Sequence, residues 1–457
     1  MPHPPSISKT FNATLLFPLC LFLAIQASYS QNYVHTYAGT GSPGYVDGDT
    51  SIARFNNPFG IALGPEGYLY LADGNNHVIR KVSTEGQVTT YAGAGIAGYA
   101  DGPANEARFN SPINLCFDPE GNLYVSDFLN QRIRKISPSG EVTTIAGTAS
   151  PGYADGPALE AQFNYPRGIC IDNQGNLYIS DSWNHRIRKI STGGIVSTWA
   201  GGGTSMGVQS VGSYVDSTGT GARFYTPTEL TIDASNNIYV ADAYNHRIRK
   251  IDTNQSVTTL AGSGGFGPDA GGFQDGPGAT ARFNVPTACH ATPSGDVYVG
   301  DGSSNRVRKI TPGGYVTTFA GSGAAGFEDG LDTLAQFNFP RGITLDNSRN
   351  RLYVVDFGNH ALRYIQLEPV SGTEEPGAIQ FQVYPNPCND WVTINLGQER
   401  SHVTITLSNT SGQELQTKNI TPSKTISLNL AGLPPGLYYL SARQGEHTLV
   451  TKKLIKQ

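Results

Sequence analysis

The sequence predicts an all-β chain: a six-bladed β-propeller of four-stranded blades, followed by a small, separate β-sandwich. Three observations carry this. One four-part phrase, P-x-G-I, G-N-L-Y-V-x-D, N-H-R-I-R-K-I and V-T-T-x-A-G, recurs six times, and the sixth copy lacks its last part. The aspartate closing the second part is Asp73, Asp127, Asp181, Asp242, Asp301 and Asp356, so successive copies are 54, 54, 61, 59 and 55 residues apart. A fixed period of this size, made of short β-rich runs, is how radial β repetition appears in a sequence. Beyond about residue 368 the composition turns to Pro, Gly, Ser, Thr and Glu and the phrase does not return.

Each part of the phrase predicts one strand. In the third copy Gly168 to Asp172 alternates small and apolar residues, and Asn176 to Asp181 is rich in β-formers. Arg186 to Ile190 and Ile195 to Ala200 follow, with glycine-bearing turns after Asp172 and Ser191. Connections of about four residues make neighbours antiparallel, so each copy is a meander. One such sheet cannot bury both faces, and the next blade stacked on it supplies the missing core. The sixth copy ends near Leu367 after three strands, and the absent phrase stands at the other end of the ring as Tyr33 to Ala38. The N-terminal strand is therefore expected to complete the last blade, removing two open sheet edges. The propeller spans residues 31–367.

Residues 1–30 read as a signal peptide: Lys9, an apolar run from Ala13 to Ala27, then small residues before Gln31. That run is too short for a membrane anchor, and Cys20 lacks the preceding small residue a lipid-modified cysteine needs. Residues 368–380 read as a linker, and 381–457 as a β-rich module with an Ig-like sandwich fold.

The repeated D-x-x-N-x-R-I-R-K-I after a G-N-L-Y-V strand resembles the NHL repeat, with triplets Asn76-His77-Val78, Asn184-His185-Arg186, Asn245-His246-Arg247 and Asn359-His360-Ala361. The resemblance covers residues 33 to 367 and implies the fold; such propellers serve both as binding modules and as enzymes. The C-terminal module opens Tyr384-Pro-Asn-Pro387, turns at Ser411-Gly412, continues Leu433-Pro-Pro-Gly-Leu-Tyr438 and ends Lys452-Lys-Leu-Ile-Lys456. It resembles the C-terminal sorting domain of the Bacteroidetes type IX secretion system. The resemblance implies passage through the periplasm, export across the outer membrane, and removal of this domain with release or attachment at the cell surface. The secretion machinery is the partner it implies.

A net charge of -5 argues against a nucleic-acid partner. Four cysteines follow residue 30, Cys116, Cys170, Cys289 and Cys388, with no zinc-site spacing. Cys116 and Cys170 hold equivalent places in adjacent blades. Stacked sheets about 10 Å apart put them beyond the roughly 7 Å a disulfide allows, so buried free thiols are expected.

Residues used once per blade are expected to serve the blade. The Asp-x-x-Asn-His turns shape themselves, and histidines about 10 Å apart cannot share a zinc that holds nitrogens at about 2 Å. The Arg-Lys pairs (Arg134-Lys135, Arg188-Lys189, Arg249-Lys250, Arg308-Lys309) have an acidic partner in each copy: Asp47, Asp101, Asp155, Asp216, Asp275 and Asp329. Phe55, Phe109, Phe163, Phe224, Phe283 and Phe337 are expected to plug the long loops into the blades.

Function is sought where the repeat is irregular. The loop from Ala-Gly to Asp-Gly takes 11 residues in Ala92 to Gly102, but 18 in Ala200 to Ser217 and 16 in Ala261 to Gly276. Both insertions flank blade four, on the face shared with the Asp-x-x-Asn turns, and one-sided insertions tend to mark a binding face. Blade four also has Asp216-Ser217 for Asp-Gly, Tyr225 for the usual Asn, and Glu229 where Gly60, Gly168 and Gly342 stand. Asn114 makes the same replacement in blade two, and Arg167 and Arg341 precede that position in opposite blades three and six. Glu229, Asn114, Arg167, Arg341, Tyr225 and Asp216 are the ligand-contact candidates. Glu229 and Asn114 are also candidate ligands for a hard cation such as Ca2+.

The leading expectation is an exported, non-catalytic module that binds protein or glycan through the long-loop face. The resemblance to six-bladed gluconolactonase-like, strictosidine-synthase-like and amidating-lyase propellers keeps a calcium-assisted hydrolase or lyase as the alternative. No nucleophile elbow, phosphate loop or H-E-x-x-H motif is present. A structural surface component is a third possibility.

Overall fold

A computed structural model describes residues 32–202, 213–367 and most of 382–456. The signal-peptide segment, the linker and most of the insertion after Ala200 lie outside the described residues. The chain divides into two compact units that part between Glu368 and Pro369.

The first unit contains six antiparallel sheets. In blade one the order from the channel outward is Pro58–Leu63, Leu69–Asp73, Val78–Val82, Gln87–Ala92 and Gly48–Asp49. The four expected strands are all present, and a fifth of two residues is added. Gly48 and Asp49 pair with Val88 and Gln87, so the long loop folds back onto the outermost edge and covers part of it. The other five blades repeat this arrangement. Inner strands touch their neighbours around the whole circle, including Pro340–Asp346 against Pro58–Leu63.

The ring closes as the missing phrase predicts. Tyr33–Ala38 lies between Ala361–Gln366 and Gly330–Leu331, with Val34 opposite Ile365 and Thr36 opposite Arg363. Val34 and Ala38 are fully buried in the cores on either side of blade six. Cores form between blades: Ile133 and Ala146 of blade two meet Ile169, Leu177 and Ile179 of blade three, with Phe163 wedged among them. All six plug phenylalanines are buried.

Inside each blade, one arginine of the third strand is enclosed. In blade three, Arg188 Nη1 donates to Asp181 at 2.7 Å and to the Gln162 carbonyl at 3.0 Å. Its Nη2 donates to Asp155 at 2.5 Å and to the Ala154 carbonyl at 2.7 Å. The guanidinium sits between the rings of Tyr153 and Phe163, with centroids at 4.9 and 5.2 Å. The expected loop partner is present, and the aspartate that ends the second strand is an additional one. Asp181 also accepts from the Asn164 amide and from Asn184 Nδ2. Arg80, Arg134, Arg249, Arg308 and Arg363 make the same pair of ion pairs.

The turn histidines clip one blade to the next. Nδ1 of His77, His185, His246 and His360 accepts the backbone N–H of Ser111, Thr226, Val285 and Asn57, and in the remaining blades Gln131 and Asn305 use their side-chain oxygens on Tyr165 and Phe339. The receiving residues all have positive φ, including the β-branched Val285 at 53°, a conformation that persists only when its surroundings hold it. The clip from His360 to Asn57 joins blade six to blade one.

Among the described residues, Cys116, Cys170 and Cys289 form no disulfide. The 10 Å spacing does not describe the inner strands, however. A Cβ on Gly168 would lie 2.8 Å from the Glu229 Cα, so these strands approach almost backbone to backbone near the axis.

In the second unit, Gln382–Tyr384, Trp391–Arg400 and Ser423–Asn429 form one sheet, and Glu414–Asn419, Val403–Asn409, Gly436–Gln444 and His447–Lys456 the other. Ile394 and Leu428 of the first share a core with Ile405, Leu407, Leu440 and Leu454 of the second. This two-sheet packing is compatible with an Ig-like sandwich.

Candidate ligand site at the channel mouth

Each inner strand begins with a proline whose backbone pairs with the aspartate ending the second strand. The ladder then slips before resuming: between Pro58 and Ile61, Pro112 and Leu115, Pro166 and Ile169, Pro227 and Leu230, Pro286 and Ala288, and Pro340 and Ile343. Such bulges re-aim side chains. The skipped residues of all six blades line one cavity on the axis, formed by Phe59, Gly60, Ile113, Asn114, Arg167, Gly168, Thr228, Glu229, Thr287, Arg341 and Gly342. Its space, open mouth included, is about 270 Å³.

Glycine at this column is a close-approach requirement. A Cβ on Gly60 would lie 2.7 Å from the Ile113 carbonyl oxygen, on Gly168 2.5 Å from that of Thr228, and on Gly342 2.7 Å from that of Phe59. Asn114 and Glu229 are the polar exceptions. The Asn114 Oδ1 accepts from the Leu115 amide at 2.7 Å, and its side chain hydrogen-bonds Glu229. Burial pushes the Glu229 carboxyl up to about 8, against the downward pull of Asn114, the Arg341 charge and the Ile343 amide.

The arginines are braced by rings. The Arg341 guanidinium lies 4.3 Å from the Phe357 centroid, 4.6 Å from Phe59 and 5.0 Å from Phe339, and Arg167 lies 5.2 Å from Phe128. Both Nε atoms are buried and without a hydrogen-bond partner. Burial lowers both guanidinium pKa values, that of Arg341 to about 9, with the charge of Arg167 as its next cause and Glu229 acting against the shift.

Of the six candidates, four converge here and two do not. Asp216 is the blade-four partner of Arg249, at 2.5 Å, and also accepts from the Thr259 amide. Tyr225 donates its backbone N–H to Asp242, as Asn56 does to Asp73, and its ring packs on His185 and Tyr244. Both keep the places that the other blades give to Asp and Asn. Sequence reasoning missed the bracing rings and the lining residues Phe59, Ile113, Thr228 and Thr287. The residue following each proline is the signal that reveals these lining positions.

A pH test follows for Glu229, whose charged or titratable neighbours are Arg341, Arg167 beyond it and the Cys289 thiol. A carboxyl with a raised folded pKa binds more protons folded than unfolded, so its contribution to stability falls as pH rises from about 4.5 to about 8. The melting point of Glu229→Gln relative to wild type is expected to climb across that window and level off above it. Parallel pH profiles for the two proteins would place the carboxyl in free solvent.

Residues 382–457 match the family described as secretion system C-terminal sorting domain, and residues 163–190, 224–251 and 337–363 match the NHL repeat. The chain is 30% identical over 285 residues to the chloroplastic protein SUPPRESSOR OF QUENCHING 1 of Arabidopsis thaliana, covering 59% of this chain and 26% of that protein. It is 29% identical over 302 residues to NHL repeat-containing protein 2 of Homo sapiens, covering 59% and 41%. The chain thus spans well under half the length of these curated relatives. Among solved structures it is similar to an auxiliary nutrient binding protein of Bacteroides thetaiotaomicron, at 20% identity, covering 74% and 77% of the two chains with a TM-score of 0.55. A protein of the same description from Bacteroides ovatus has 18% identity, 73% and 76% coverage and a TM-score of 0.55. Among the described residues, no helix is long and apolar enough to cross a membrane.

Proposed function

We propose that this chain, a six-bladed NHL-repeat propeller carrying a type IX secretion sorting domain, is a non-catalytic binding module that takes up its ligand at the channel mouth. The sorting domain indicates export through the type IX system to the cell surface or beyond. The observation that carries the binding reading is the convergence of Glu229, Asn114, Arg167 and Arg341 on one cavity. These are places where the ring itself requires only a small or apolar residue.

The space of about 270 Å³ includes open solvent at the mouth, so the enclosed part is small. It suits one small polar group of a ligand, with the remainder of a glycan or protein ligand resting on the long-loop face. The nutrient-binding description of structural neighbours is consistent with this, at the level of fold. A calcium ion is less well served, because the single carboxylate faces two guanidiniums. Among the described residues no three His, Cys, Asp or Glu side chains gather to hold a metal.

Thermal-shift screening of the full chain against soluble sugars and short peptides tests this reading. A ligand that raises the melting point of wild type, and does so less for Asn114→Ala, is expected. A ligand consumed during the assay would replace the binding module with an enzyme.

We also propose that the sorting domain is removed on export. Mass spectrometry of the exported protein is expected to find a C-terminus upstream of residue 382. An intact Gln457 would make the domain a permanent accessory.

A further inference from the structure

The six residues that follow the inner-strand prolines are Phe59, Ile113, Arg167, Thr228, Thr287 and Arg341. Four of them have structural uses. Phe59 and Ile113 are apolar. The Thr228 hydroxyl donates to the Ala241 and Pro286 carbonyls, and that of Thr287 to Gly300 and Pro340, so each ties its own blade to the next. The column therefore works without charge, and two arginines in it need a different explanation.

The contrast with the blade arginines is direct. Arg188 spends its nitrogens on two aspartates and two carbonyls, whereas the guanidiniums of Arg167 and Arg341 make no hydrogen bond or ion pair with any described residue, although both line the cavity. Burial lowers the proton affinity of both, and the charge of Arg167 lowers that of Arg341 further. Burying guanidiniums without a counter-ion is costly. Rings lie against both guanidiniums and both groups line the cavity; with Nε buried, the paired Nη atoms are the end left to bind a ligand. Glu229 supplies at most one negative charge against two positive ones, so the mouth stays positive whatever its protonation.

We propose that Arg167 and Arg341 clamp an oxyanion, a carboxylate or phosphate group carried by the ligand, across the mouth of the channel. This deepens the binding reading above and rests on it. The Asn114 amide group already serves Glu229, its carbonyl oxygen being engaged by the Leu115 amide, so it has one further N–H to add. A protonated Glu229 adds one more donor without repulsion.

The test is calorimetric titration of the full chain with glucuronate, acetate and inorganic phosphate, with glucose as the uncharged control. At least one anion is expected to bind, and glucuronate more tightly than glucose. Whether the carboxylates or the phosphate give the signal identifies the oxyanion. Arg167→Gln and Arg341→Gln are each expected to weaken that binding by about tenfold or more, the scale of losing charge-assisted hydrogen bonds. Arg341→Lys, which keeps the charge but not the fork, is expected to fall between. Without ligand, each Gln variant loses only the ring contacts of its guanidinium and is expected to keep a single cooperative transition at a slightly lower melting point; loss of that cooperative transition would make the arginines structural and overturn the proposal. Anion binding unchanged in both Gln variants would also overturn it. Glucose or a neutral peptide bound equally by wild type and variants would remove the clamp and leave the wider binding reading intact, whereas no binding of any probe would count against both.

Discussion

Deleting Tyr33–Ala38 is expected to abolish the cooperative melting of the propeller and drive it to aggregate. That strand is hydrogen-bonded on both sides, to Ala361–Gln366 and to Gly330–Leu331. Its loss uncovers two sheet edges and removes Val34 and Ala38 from the cores flanking blade six. Exposed edges are templates for pairing with other chains. Repeat folds draw their stability from contacts between neighbouring units, so an opened ring also weakens the interface with blade one. Calorimetry and light scattering would record the change. A deletion that melts in one transition at the wild-type temperature would show that the ring does not depend on this strand. Restoring the six residues after Leu367, where the chain would supply the strand from its other end, is expected to recover the transition.

The second large effect is expected at the enclosed arginines. Arg188→Met removes the partner of Asp181, whose side chain is wholly shielded from solvent. The loss should be about 3–5 kcal/mol, the usual result of stranding one charge of a buried pair. Arg188→Met combined with Asp181→Leu should recover only part of it, since the stranded charge is removed while the Asn164 amide and Asn184 Nδ2 lose their acceptor. By comparison, Lys189→Ala changes a half-exposed ammonium held 5.6 Å from the Tyr178 ring, and should cost under about 1 kcal/mol. Denaturant unfolding of the four proteins checks the series. Equal losses for Arg188→Met and Lys189→Ala would mean that the network is ornamental.

Periodicity made the blades, the plug phenylalanines and the closing strand legible, because each depends on a residue type repeated at fixed spacing. The fifth strand was hidden: Gly48 and Asp49 carry no alternation to detect, and only the returning loop gives them a partner. The second aspartate on each arginine was hidden as well, since seven residues of sequence separation do not reveal that two strand positions face each other across a turn. Irregularity picked out Glu229, Asn114, Arg167 and Arg341, which line one cavity, and also Asp216 and Tyr225, which do not. Asp216 keeps its contacts because the neighbouring Ser217 alters only the backbone beside it. Tyr225 keeps its place because the conserved-looking bond there is made by its amide, which is indifferent to the side chain. The shared cavity was the least legible feature, because the ladder slip after each proline, which brings the skipped residues of six blades together, has no sequence signal of its own.

The direction of ring closure has a bearing on how the two units can be separated. The last blade takes its outer strand from the front of the chain, so the polypeptide leaves the ring after the third strand of that blade, with Leu367 bonded to the Asn350 carbonyl. Among the described residues, nothing downstream contributes a strand to any blade. A protease cutting beyond Leu367 would detach the sandwich as a luggage tag is detached, without loosening a single ladder of the propeller. Had closure used the opposite end, the same cut would risk the wheel itself.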